Sequence, residues 1–244
     1  MLYLISLGLS DEKDISLRAL ETARKCGKLY VEFYTTGIRT DTRRLSEFIG
    51  KDVVEIKRAD LEENSSKIIL QAKTMDIGIL VGGDALSATT HISVLLDAKK
   101  LGIKTKVIHG SSIFSAVDET GLQLYKFGAV ATLVRPSGKH FPDSFYDVAL
   151  KNKKIGLHSL ILLDIGMSVK EGLEILLKIE KNKGGDVFRK DTKLVACSRL
   201  GSDEQKIKYN TIENLVVDEL AEFPAIIVLP GELHFLEEEY LESL

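Results

Sequence analysis

The segment "VGGDALSATTH", residues 81–91, decides how this chain is read. It follows the apolar run "DIGIL", residues 76–80, and precedes "ISVLLDAKKLG", residues 92–102. The run before it has the character of a buried strand, and the run after it has the apolar spacing of a helix. An open α/β sheet binds its ligands outside the carboxyl ends of its strands, so two glycines and an acid at such a junction suit a ligand site. The same residues have plainer uses. Gly82 and Gly83 suit a tight turn, Asp84 suits a helix cap, and Thr89, Thr90 and His91 suit the first turn of a buried helix. A cap explains the acid but not both glycines together with "SATTH".

Outward from this junction, strand alternates with helix. "LYLISLGL" (2–9), "KLYVEF" (28–33), "VVEI" (53–56) and "KTKVIHG" (104–110) read as strands. Between them, "DISLRALETARKCG" (14–27) reads as a helix with Gly27 as its cap. "TRRLSEFIG" (42–50) is closed by Gly50, and "SSKIILQAKT" (65–74) has Ser65 as its N-cap. Short links and strict alternation predict a parallel, doubly wound sheet over residues 1–110. A helix opening at Ser111 or Ser112 bridges to a second half, 111–244.

That half is patterned differently. "AVATLVR" (129–135), "HSLILLDI" (158–165), "KLVACSR" (193–199), "KIKYNT" (206–211) and "AIIVLPG" (225–231) read as strands. "FPDSFYDVALKN" (141–152, Pro142 in its first turn), "SVKEGLEILLKIEKN" (168–182), "IENLVVDEL" (212–220) and "LEEEYLESL" (236–244) read as helices. Only "LGSDEQ" separates 199 from 206. That is too short for a parallel crossover, so those two strands must pair antiparallel and the sheet is mixed.

Composition narrows the function. Of 244 residues, 44% are hydrophobic and 28% charged, with a net charge of -3. Near-neutral charge gives no footprint for nucleic acid. No apolar run reaches a membrane span and no basic leader opens the chain, so the expected location is cytoplasmic. The two cysteines, Cys26 and Cys197, read as small core residues. No G-x-G-x-x-G follows the first strand, no Walker lysine follows a glycine loop, and no G-x-S-x-G elbow occurs. The five histidines, at 91, 109, 140, 158 and 234, do not pair at metal-ligand spacing, so no metal is expected.

What remains is a set of junctions: "LGLSD" (7–11), "GGDALSATTH" (82–91), "HGSSIF" (109–114), "LLDIG" (162–166), "SRLGS" (198–202) and "LPGELH" (229–234). Each is expected at one shared sheet edge or cleft. Taken singly, Ser112 suits a cap, Gly231 a turn, Leu9, Leu163 and Leu200 the core, and His234 a structural role.

Taken together, "LYLISLGL", "EFYT", "GDALSATTH", "SSIFSAVDETGLQLYKFG", "FPDSFYDV", "GLHSLILLDI" and "LPGELHFLEEEYL" resemble the diphthine synthase family. That family belongs to the tetrapyrrole-methylase superfamily of S-adenosylmethionine-dependent methyltransferases. The resemblance implies two α/β domains with the cofactor in the interdomain cleft, and a homodimer. It implies transfer of methyl groups from S-adenosylmethionine to the amino group of a 3-amino-3-carboxypropyl-modified histidine of elongation factor 2, in diphthamide biosynthesis. S-adenosylhomocysteine would be the product. The family's cofactor contacts fall on Leu9, Asp84, Ser87, Ser112, Ile113, Leu163, Leu200 and His234. No general base is assigned, although His91 is conceivable. The chain departs from the family pattern at Ala85, where proline is usual, and at Ser6, where glycine is common. The segments around "TTGIRTDTRR" and "DIGMSVKEG" are shorter than usual. The alternatives are a tetrapyrrole methyltransferase of the same superfamily and a non-catalytic nucleotide-binding module.

Overall fold

The computed structural model describes residues 1–138, 141–218, 220 and 223–244. It divides into two units, Met1–Phe114 and Ser115–Leu244. The sequence places the division after residue 110. The structure places it after Phe114 because the chain beyond the last strand of the first unit stays on that unit. A Cβ on Gly110 would lie 2.8 Å from Ser6 Cβ, and one on Gly8 would lie 3.1 Å from Ser111 Oγ.

The first unit runs β1 (Leu2–Ser6), α1 (Leu17–Lys25), β2 (Lys28–Glu32), α2 (Thr42–Ile49), β3 (Val53–Glu55), α3 (Arg58–Glu62), α4 (Ser65–Ile69), β4 (Ile77–Val81), α5 (Ile92–Lys100) and β5 (Thr105–Ile108). All its strand pairs are parallel, in the order β3-β2-β4-β1-β5. Alternate residues of the central strands feed two cores. Leu2, Leu4, Ile77, Ile79 and Val81 pack on one face, and Ile5, Leu7, Leu29, Val31 and Leu80 on the other. Burial on both faces is why these strands read as continuous apolar runs.

Three local expectations are corrected. Gly27 does not cap α1. Cys26 turns the chain into an extended conformation, and the Gly27 N–H goes to Asp76 O at 2.7 Å, leading straight into β2. Ser65 is the first helical residue, not the cap. Asn64 holds the cap position, and Ser65 Oγ donates to Asp97 Oδ2 at 2.9 Å. The helix expected over 65–74 ends at Ile69 and continues as a 3-10 turn, Leu70–Lys73. The helix α3 was not expected at all.

The bridging helix, which starts on the first unit and ends on the second, is short. α6 (Ile113–Ala116) gives way to 3-10 turns at Val117–Thr120 and Leu124–Lys126. Gly121 breaks the path between them at φ +78°. Then follow β6 (Ala131–Leu133), α7 (Ser144–Lys154), β7 (Ser159–Leu163), α8 (Val169–Lys183), β8 (Lys193–Ser198), β9 (Lys206–Thr211), α9 (Ile212–Val217), β10 (Ala225–Leu229) and α10 (Phe235–Glu242). Pro142 precedes α7, since Asp143 holds its cap position. The helix expected over 212–220 ends at Val217, and residue 219, like His140, lies outside the described residues.

This sheet is mixed, in the order β6-β7-β10-β8-β9, with β8 and β9 antiparallel. Its core gathers Leu133, Phe145, Ile161, Leu173, Leu176, Phe188, Leu194 and Ile227. Both cysteines are buried and free. Burial, with Asp76 nearby, pushes the Cys26 thiol up to about 11, so it stays protonated and packs as a small apolar group.

Candidate functional site

In the first unit, β1 lies between β4 and β5, so the carboxyl tips of these three strands are neighbours. Backbone bonds join them. Leu7 N–H donates to Val81 O at 2.8 Å, and Gly83 N–H donates to Gly8 O at 2.6 Å. Gly8 sits at φ +87°, and a Cβ there would come within 2.4 Å of Asp14 Cβ. Asp14 in turn accepts from Leu9 N and Ser10 N at 3.1 and 2.6 Å. Leu9 is therefore held at the rim by the turn beneath it. On the next tip a Cβ on Gly82 would meet Thr36 Oγ1 at 2.0 Å, so only glycine admits that close pass.

Asp84 is the centre of the arrangement. Its Oδ1 accepts from Leu86 N at 3.0 Å and Ser87 Oγ at 3.2 Å. Its Oδ2 accepts from His109 Nδ1 at 2.8 Å and Gly110 N at 3.2 Å. Burial works to raise the pKa of this carboxyl, but the Leu86 amide, His109 and the Gly110 amide outweigh it and hold the group below its ordinary range. Asp84 thus closes a local turn and ties the β4 tip to the β5 tip. It does not cap α5, which begins at Ile92. A carboxylate has about four lone-pair directions, and these donors occupy them.

The other first-unit residues fall on the same rim. Ser87 is held by Asp84. Ser112 Oγ accepts from Phe114 N at 3.0 Å, and Ile113 follows it half-buried. Ala85 N–H donates to Ser6 Oγ at 3.0 Å, and both residues are fully buried. His91 points inward. It is 2% exposed, its Nδ1 lies 3.3 Å from Ala85 O, and Tyr34 Oη lies 3.4 Å from its Nε2. A base so enclosed cannot meet a substrate, which removes His91 from that role. It braces the β4 loop from behind, beside the buried Glu32.

The second unit does not assemble its residues at one end. β10 runs antiparallel to both β7 and β8. Leu163 ends β7 and Leu200 follows β8, so both lie at the end where β10 starts. Leu229 pairs with Ser159, so "LPGELH" lies at the opposite end, about 15 Å along the sheet for strands of five residues. The expectation of one shared edge fails here, because the sequence could not reveal the direction of β10.

A buried network fixes that opposite end. Gly231 N–H donates to His158 Nδ1 at 2.8 Å, so the His158 proton sits on Nε2, 3.1 Å from Glu237 Oε1. Glu237 also accepts from Gln123 N, His234 N and Lys126 Nζ. Burial opposes ionisation, yet these donors hold Glu237 down at about 2. Burial also lowers the His158 pKa and keeps the ring neutral. His234 is exposed, and its Nδ1 accepts from Leu236 N at 3.3 Å, so it caps α10.

The chain matches the family of Tetrapyrrole (Corrin/Porphyrin) Methylases over residues 1–216. A diphthine synthase of Methanocaldococcus jannaschii is 42% identical over 253 residues, covering 100% of this chain and 98% of the relative. This chain belongs to the diphthine synthase family. A solved chain from Entamoeba histolytica superposes with a TM-score of 0.93 at 34% identity, covering 100% of this chain and 97% of that one. A crystal structure of diphthine synthase superposes with a TM-score of 0.89 at 37% identity, covering 99% and 94%. As a member of the diphthine synthase family, the protein is a methyltransferase with one parallel and one mixed five-stranded sheet.

The residues of the first rim suit the cofactor of such an enzyme. An orphaned buried hydroxyl, Thr36 Oγ1, stands against Gly82, and the space beside Gly83 is open. Sequence reasoning missed His109 as a member of the site. The signal was there in "HGSSIF", a histidine directly after a strand, but nothing local tells that its partner is an acid 25 residues earlier. Among the described residues no group of three or more His, Cys, Asp or Glu could hold a metal ion, and no helix is long and apolar enough to cross a membrane.

Proposed function

We propose that this protein transfers methyl groups from S-adenosylmethionine to the amino group of the 3-amino-3-carboxypropyl histidine of elongation factor 2, a step of diphthamide biosynthesis. The observation that carries the reading is end-to-end identity of 42% with a diphthine synthase. The cofactor supplies an electrophilic methyl group on a sulfonium. The protein contributes orientation, and no strong side-chain nucleophile is required.

In this proposal Leu9, Asp84, Ser87, Ser112 and Ile113 of the first unit hold the cofactor; Leu163 and Leu200 stand at one end of the second unit's sheet and His234 at the other, so these three form no single site of their own. Asp84 acts by shaping the rim, because its carboxylate is already engaged. In this reading the protein works in the cytoplasm and as a homodimer. Leu236, Tyr240 and Leu244, spaced four apart at the end of the chain and 42–55% exposed, offer apolar surface for self-association.

Isothermal titration with S-adenosylmethionine and S-adenosylhomocysteine tests cofactor use, and saturable heat is expected with both. Methyl label should pass to elongation factor 2 carrying the extended histidine and not to a precorrin. The reverse preference would make the protein a tetrapyrrole enzyme. Binding without transfer to either would leave it a non-catalytic module. Light scattering of the purified protein at twice the 27.0 kDa chain mass is the expected oligomeric outcome.

A further inference from the structure

Methyl transfer to an amine needs a free lone pair, and an alkyl amine near neutral pH is largely an ammonium ion. Something must take that proton, and within the first-unit rim one side chain is built to do so. His109 directly follows β5, and its side chain is 69% exposed while that of Asp84 is 8% exposed. Its Nδ1 lies 2.8 Å from Asp84 Oδ2. An ionised carboxylate only accepts hydrogen bonds, so Nδ1 must carry the proton. In the neutral ring the lone pair is then on Nε2, the nitrogen turned away from Asp84. Asp84 is itself fixed by Leu86 N, Ser87 Oγ and Gly110 N, so the ring is aimed by a rigid partner. A buried carboxylate that orients an exposed imidazole and steadies its charged form is a recurring arrangement for a general base.

We propose that His109 is the catalytic base of the methyl transfer, resting on the reading above, with Asp84 as its positioning residue. The substrate ammonium gives its proton to His109 Nε2. The amine lone pair then forms the N–CH3 bond as the S–CH3 bond breaks, and that electron pair stays on sulfur. The imidazolium, held by the Asp84 carboxylate, passes the proton to water. Each further methylation of the same nitrogen begins with the same proton removal, until no N–H is left.

The test uses the full chain. In His109→Gln, the affinity for S-adenosylhomocysteine by titration calorimetry should stay within about twofold of wild type. The single-turnover rate of the first methyl transfer to elongation factor 2 bearing the extended histidine should fall roughly 100-fold or more. His109→Ala should regain part of that rate with millimolar imidazole. Nitrogen-15 NMR of the free wild-type protein should find the neutral His109 ring protonated on Nδ1, a readout independent of turnover. A folded His109→Gln enzyme that methylates at the wild-type rate overturns the proposal. So does a variant whose rate and cofactor affinity fall together, which would make His109 a cofactor contact, or a ring protonated on Nε2. A wild-type protein that transfers no label sinks the functional reading itself and is told apart by that control.

Discussion

Ser6 and Ala85, the positions where the family resemblance implies glycine and proline, are bonded to each other. Proline at 85 would have no N–H to give, and glycine at 6 would have no oxygen to receive it. Ala85→Pro alone should therefore destabilise the protein by about 1–3 kcal/mol, as should Ser6→Gly, since each strands a buried polar group. The double variant should recover at least half of the summed loss, and thermal or urea unfolding of all four proteins measures the coupling. Independent, additive losses would mean that the bond contributes nothing. Asp84→Ala should weaken S-adenosylhomocysteine binding by about 1–3 kcal/mol, because it releases four donors at once and lets the rim relax. Unchanged affinity by calorimetry would confine Asp84 to local turn closure. At this scale the sequence marked Asp84 and both departures, but contacts between distant positions were invisible. The sequence shows a histidine at 109 and an acid at 84, and only the strand order brings them to 2.8 Å.

At the scale of elements, the parallel first sheet was legible because each buried strand announces itself as an apolar run and each helix by its spacing. Cap positions were less legible, since a strand entry can capture the chain before a glycine does, as at Gly27. The direction of β10 was not legible, because an apolar strand reads alike from either end. The tips themselves carry strain. Ala88 at φ 55° and Arg199 at φ 53° take the left-handed conformation next to Ser87 and Leu200. Such a conformation is unfavourable for a residue with a Cβ and persists where surrounding structure imposes it. Ala88→Gly should raise unfolding stability by up to about 1 kcal/mol, measured by denaturant titration. A loss of stability would show that the alanine methyl has a packing role that outweighs the strain.

For the whole molecule, the two units make two acid responses. In the second unit, His158 and Glu237 act in the same direction. Both have folded pKa values below their ordinary ones, so the stability they confer is present at neutral pH. It begins to fall below about 6.5, the ordinary histidine value, and continues to fall toward the Glu237 value of about 2. The Glu237 share is on the order of 3 kcal/mol, from a shift of 4.5 to about 2. In the first unit, Asp84 is lowered but Glu32 is raised by burial, despite its bonds from Thr35. Mild acid therefore costs the first unit through Asp84 and relieves it through Glu32. Hydrogen exchange followed from pH 7 to pH 4 should show α10 and β7 losing protection before β1 and β4. The opposite order would mean that the buried Glu237 network is not what holds the second unit.

The hydrogen bond between Ser6 and Ala85, 79 residues apart in the chain, also couples any change at one site to the other. A lineage moving between glycine–proline and serine–alanine at these sites must pass through one of two single-change forms. In one, a buried amide faces a bare glycine. In the other, a buried hydroxyl faces a ring that cannot answer it. Each single-change form carries its own fault, so changes at the two sites should be tolerated together more readily than either alone.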